Sequence, residues 1–283
     1  MTENNRHLTF SKRNGLAPIP QLLKLGEISK EFRIRILNIL HYFIDGEIYI
    51  EIQKKSFDSE SKDIVIRNIH EKILKEPIYE LYSSSFDIKH FYKATILYKE
   101  YGTIFDIIEY VMRLYPREDF NFFSEFKKIF EECALAYTIV DEKCPTIVPA
   151  ATPEEGETIR EAFEAAKDDK YAPAREHLRQ SAGHINASQP ANAIRESIHA
   201  VESVLRIVTD IEDFNKALQK LETSHRIHKA LKEAFKKLYA YTCDEQGIRH
   251  ALVDKPESPA TMDEAVFMLG ACAAFVGYVI RKS

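Results

Sequence analysis

The sequence predicts a mainly α-helical protein of two domains: an irregular helical domain over residues 1–150 and a helical bundle over residues 151–283, with a short β-hairpin at the junction. Three observations predict it. Apolar residues recur at spacings of three and four along most of the chain, as one face of a helix requires. Composition changes near residue 150, since the first 150 residues hold 22 of the 31 Phe and Tyr but only 5 of the 26 Ala. The junction AYTIVDEKCPTIVPAATPEE, residues 136–155, sets two short apolar runs around a turn containing Pro145.

In the first half the helical stripes are Phe32, Ile36, Ile39, Leu40 and Phe43, then Phe105, Ile108, Met112 and Tyr115, then Phe122, Phe126, Ile129, Phe130 and Cys133. Segment 46–60 alternates apolar and polar residues and fits a strand or a helix extension. After the hairpin, Thr152-Pro153-Glu154-Glu155 reads as a capping box opening a helix. Ile194, Ile198, Val201, Leu205 and Val208 mark one face of a central helix over about residues 190–209. Shorter helices follow near 213–222 and 227–241. A second capping box, Thr261-Met262-Asp263-Glu264, precedes a last helix carrying Ala265, Met268, Leu269, Cys272, Val276 and Val279. Several helices on short loops make a bundle.

At 283 residues each half is large enough to bury its own core. With 45% hydrophobic and 29% charged residues, the composition is that of a folded globular protein. A net charge of −5 provides no global basic field, so any contact with RNA must be local. No stretch reads as a membrane span and the start MTENNRHLTF lacks an apolar core, so a cytoplasmic protein with no membrane partner is expected. Cys133, Cys144, Cys243 and Cys272 are too scattered for a CxxC motif and read as packing or surface thiols.

Among residues that carry chemistry, Arg195, His199, Glu202 and Arg206 form a polar stripe beside the apolar face of the central helix. It fits either a functional cleft or intrahelical ion pairing. His225 and His228 have the spacing of two metal ligands on a helix, but no carboxylate or Cys nearby completes a set, so solvated histidines and no metal are expected. Ser181 and Ser188 lack a nucleophile elbow, and no GxxxxGK(S/T) or GxGxxG loop occurs, so serine-hydrolase, NTPase and dinucleotide readings find no support. No cofactor is implied. Lys12, Arg13, Arg33 and Arg35 offer a surface for a ligand or partner, although 21 basic residues meet 23 acidic ones over residues 1–150.

The run NAIRESIHAVESVLR, with FNKALQKLE, ALKEAFKKLYAYTCDEQGIRHAL and DEAVFMLGACAAFVGYVI, resembles a HEPN-family domain. The opening FSKRNGLAPIP, with AYTIV and TIVP at the junction, resembles the N-terminal domain of AbiJ-type abortive-infection proteins, often fused to HEPN domains. The pairing implies an anti-phage protein whose HEPN bundle dimerises and builds an RNA-cleaving site, without a metal, at the dimer interface. It also implies an N-terminal domain that meets a phage or regulatory partner.

HEPN ribonucleases carry an Arg, usually followed by a polar residue, with a His after four to six intervening residues. Here the Arg is Arg249 and the polar residue His250. The sequence departs from the pattern, because Asp254, Lys255 and Pro256 occupy the positions for the second His and no His follows His250. RNA cleavage of this kind needs a base for the ribose 2′-OH, an acid for the leaving oxygen and a cation for the phosphate charge. Arg249 and His250 have the right chemistry for two of these, with support from Glu202, His199 or Asp254. The structural alternative pairs Arg249 with Asp244, Glu245 or Asp254 and leaves His250 as a loop residue. In the second functional class the fold is a non-catalytic dimeric module that binds RNA, a nucleotide or a partner protein.

Overall fold

A computed structural model describes residues 22–45, 66–81, 88–114, 121–224, 227–244 and 260–283. Among these residues the chain is mainly helical, with one small two-stranded sheet. Helix α1 spans Lys30–Asp45, a π-turn helix Ile69–Leu74, α2 Ile78–Leu81, α3 Ile88–Tyr98, α4 Tyr101–Leu114 and α5 Phe122–Glu132. Strands β1 (Tyr137–Val140) and β2 (Thr146–Pro149) form the hairpin, pairing Tyr137 with Pro149 and Val140 with Thr146. Then come α6 (Pro153–Ala165), α7 (Ala172–Asn186), α8 (Pro190–Thr209), α9 (Phe214–Ser224), α10 (Lys229–Asp244) and α11 (Met262–Lys282).

Buried side chains fall into two clusters. One gathers Phe32, Phe105, Phe126 and Phe130 from α1, α4 and α5, with Phe32 meeting Phe130 edge-on at 5.2 Å between ring centroids. The other lies among α6, α7, α8, α9 and α11, around Ile198, Val201, Leu269 and Phe275. The hairpin serves both, because successive strand residues point to opposite faces: Ile139 and Ile147 join the first cluster, Val140 and Val148 the second.

The predicted start signals act largely as expected. At Thr261 the box is complete, with the hydroxyl accepting from the Glu264 N–H and the Glu264 carboxylate accepting from the Thr261 N–H at 2.7 Å. At Thr152 the hydroxyl accepts from the Glu155 N–H, while Glu155 reaches one residue further back, to the Ala151 N–H at 2.6 Å. Gly156 lets α6 sit on β1, since a Cβ there would stand 3.2 Å from Cβ of Thr138. Segment 46–60 lies outside the described residues.

Two polar ties fix the hairpin. From α4, Glu109 accepts the Ile147 N–H at 2.6 Å and pairs with Arg113, whose Nε donates to the Pro145 carbonyl. On the opposite side Asp141, at φ +55°, accepts the N–H groups of Lys143 and Cys144 and pairs with Arg175 and Arg179 of α7. Burial pushes the Glu109 carboxyl above its ordinary range despite the Ile147 N–H and Arg113, with Asp106 adding to the rise. The folded protein therefore holds that proton more tightly than the unfolded chain, and this contribution is full below the ordinary carboxyl value and lost as pH rises through the raised one. Relative to Glu109→Gln, the unaltered protein should gain stability between about pH 7 and about pH 5 in urea unfolding. A gap moving the opposite way would contradict the assignment.

Helix α11 corrects the expectation that no stretch reads as a membrane span: by length and composition it is long and apolar enough to cross one. In the fold it packs on α6, α7 and α8, and Ala265, Met268, Leu269, Cys272, Val276 and Val279 are all buried. Its all-round apolarity is thus absorbed mostly within the chain, although Phe267 stays 58% exposed. Arg33 and Arg35 are structural rather than free for a partner: Arg33 donates to the carbonyls of Ile96 and Lys99 near the end of α3, and Arg35 pairs with Glu132. Lys12 and Arg13 lie outside the described residues.

Candidate functional site

Helix α8 is the centre of the second cluster and packs most extensively on α7 and α11. A buried bond registers the first pair: the Ser181 hydroxyl on α7 lies 2.8 Å from that of Ser197 on α8 and donates to the Ala193 carbonyl at 2.9 Å. Ser181 is therefore a packing residue, in keeping with its lack of an elbow motif. One helical turn from this bond, the edge of the α7–α8 seam opens into a cleft of about 460 Å³. His177 comes from α7, while His199, Glu202, Ser203 and Arg206 come from α8. Phe214 and Tyr239, stacked with centroids 3.9 Å apart, wall the cleft from α9 and α10.

Three members of the polar stripe predicted on α8, His199, Glu202 and Arg206, thus line a concavity, while Arg195 lies outside its lining. One of the stripe's ion pairs leaves the helix, with Arg206 reaching Glu212 at 2.9 Å, while within it His199 Nε2 lies 4.0 Å from Glu202. Two members of the site were not singled out in the sequence. Glu196, 9% exposed, accepts on Oε2 from His177 Nδ1 at 2.8 Å, and His199 Nδ1 stands 3.6 Å from the same oxygen. The two imidazoles meet edge-on at 5.3 Å. Burial pushes the Glu196 carboxyl up, but the His177 hydrogen bond and the charges of His199, His177 and Arg195 outweigh it and hold the carboxyl below its ordinary range. Its position three before His199 was visible in the sequence; that α7 delivers His177 to it was not.

The remaining candidates divide. Arg249, His250 and Asp254 lie outside the described residues, as does His225. His228 is exposed and its Nδ1 accepts the Ala230 N–H at 3.2 Å, so it caps the start of α10. None of the four cysteines forms a disulfide; Cys133 and Cys272 are buried, and burial raises the Cys272 thiol to about 12, which leaves it inert near neutrality. A larger cavity of about 870 Å³, bordered by Leu23, Tyr101, Tyr137, Met262 and Phe267, has a mainly apolar lining. A third cavity of about 600 Å³ is lined by Arg160, Arg175 and Arg179 with Asp141 and Glu164, most of them engaged in the ion pairs and hydrogen bonds that hold the hairpin to α6 and α7, while the smaller cleft gathers imidazole, carboxylate and guanidinium groups on α7 and α8.

Neither a curated protein nor a solved structure matches the chain. A family model does: AbiJ N-terminal domain 4 matches residues 8–165, from before α1 through the hairpin to the end of α6. AbiJ names an abortive-infection system, so the match points to abortive-infection defence. Because it spans more than half of the sequence, the chain belongs to the AbiJ N-terminal domain 4 family.

Proposed function

We propose that the chain is an abortive-infection effector whose residues 151–283 form a HEPN-like domain that cuts cellular or phage RNA, with residues 1–150 receiving the phage signal or regulatory partner. The observation that carries this reading is the cleft on α8, where His199, Glu202 and Arg206 meet Tyr239 of α10. In the sequence α10 leads directly into the segment that carries Arg249 and His250. A guanidinium suits the charge that grows on phosphate, and an imidazole that titrates near neutrality suits proton transfer to or from the ribose 2′-OH. Glu202 and His199 act as orienting groups, and a cytoplasmic homodimer formed through the C-terminal half brings two Arg-His pairs together, supplying both base and acid. Contact with RNA is confined to this cleft, in line with the net charge of −5.

A second reading rests on one feature, the lack of any His after His250. It makes the C-terminal half a non-catalytic dimeric module that holds RNA, a nucleotide or a partner protein. The two are separated by challenging cells with phage. If Arg249→Ala with His250→Ala abolishes protection while helix content and dimer mass are retained, the site reading holds. Full protection by that double variant supports the module instead.

A further inference from the structure

We propose that His177, Glu196 and His199 form a binding site for one zinc-class divalent cation, clasped between α7 and α8 at the wall of the cleft. One ligand atom from each residue lies within 4.8 Å of the others. Both imidazoles converge on a single carboxylate oxygen, at 2.8 Å and 3.6 Å. A simple His–Glu hydrogen bond accounts for only one of them. Tetrahedral zinc with bonds of about 2.0–2.1 Å sets its ligand atoms roughly 3.3 Å apart; the two carboxylate–imidazole distances bracket that value, and the remaining separation, within 4.8 Å, closes by rotation of the side chains on metal binding.

The frame is suited to holding a metal. The ligands sit on two long helices locked in register by the buried Ser181–Ser197 bond. His199 turns Nδ1 toward Glu196 while its Nε2 stands 4.0 Å from Glu202, so closing that gap would supply the carboxylate partner that fixes the tautomer of a ligating histidine. Arg195 Nε stands 3.7 Å from the other oxygen of Glu196 and steadies it. Two imidazoles and one carboxylate select zinc over magnesium or calcium, which prefer all-oxygen shells. Three protein ligands leave a coordination position for water or a ligand on the cleft side.

The site stands on its own geometry and does not depend on RNA cleavage. The experiment is a titration of the chelator-treated full chain with cobalt(II), followed by displacement with zinc. We expect one cobalt per chain, visible d–d bands of low coordination number, and no thiolate charge-transfer band; the exposed Cys144 would supply such a band if the metal sat elsewhere. His177→Gln and His199→Gln should each weaken binding by more than about 100-fold, because loss of an outer partner already costs about 10–100-fold, and Glu202→Gln by about 10-fold. No binding by the unaltered chain, a thiolate band, or unchanged titrations in both histidine variants would overturn the proposal. Should one histidine variant fail to fold, the other and the spectrum of the unaltered chain decide. Since the readout is metal bound, failure of the ribonuclease reading leaves this result untouched.

Discussion

Replacing Asp141 by alanine should destabilise the protein by about 3 kcal/mol, because it removes the carboxylate that two largely buried guanidiniums share at the hairpin and leaves Arg175 to backbone carbonyls and Arg179 to the exposed Glu176. The side chains of Asp141, Arg175 and Arg179 are only 13%, 12% and 19% exposed. The same carboxylate closes the turn by accepting the Lys143 and Cys144 N–H groups, and the residue sits at φ +55°, where Asp and Asn are better tolerated than Ala. Asp141→Asn keeps the acceptor and the backbone preference but loses the charge, so it should fall between the two. Urea unfolding of the three proteins checks the order. An alanine variant as stable as the unaltered protein would mean that α7 is not anchored to the hairpin through this residue.

The second large effect concerns the two cores. Phe130 is 1% exposed, with Phe32 at 5.2 Å and Phe105 at 5.5 Å, and Ile198 is fully buried on α8. Phe130→Ala should cost about 3–5 kcal/mol and Ile198→Ala about 2–5 kcal/mol, from lost transfer energy plus the cavities left behind. If residues 1–150 and 151–283 are separate domains, each variant should shift only its own unfolding transition. If the hairpin welds both cores into one cooperative unit, either variant should lower a single shared midpoint. Calorimetry on the full chain distinguishes these outcomes.

What the sequence made legible was local. Helix spacing placed the buried faces of α1, α5, α8 and α11, and Phe126, Ile198 and Cys272 are among the expected core residues that are buried. The two apolar runs around Pro145 gave the hairpin, and the Thr-x-x-Glu signals marked the starts of α6 and α11. These features depend on neighbours within four residues or on a tight turn. The site was legible only by half. His199 and Glu202 show their spacing along one helix, whereas His177 enters from α7, and its approach to Glu196 is a tertiary contact that no period in the sequence encodes. Likewise, the span-length apolar run of α11 is occupied by α6, α7 and α8, partners that composition cannot name.

The proposal that this AbiJ-family chain cuts RNA is tested most directly by the fate of RNA. Total RNA incubated with the purified full chain and a lysate of phage-infected cells should be cleaved, leaving cyclic phosphate or 3′-phosphate ends as expected when the ribose 2′-OH is the nucleophile. Arg249→Ala with His250→Ala, purified at the same solution mass, should leave it whole. RNA that stays intact under the unaltered chain while that chain still stops phage, or equal cleavage by the double variant, would contradict the account.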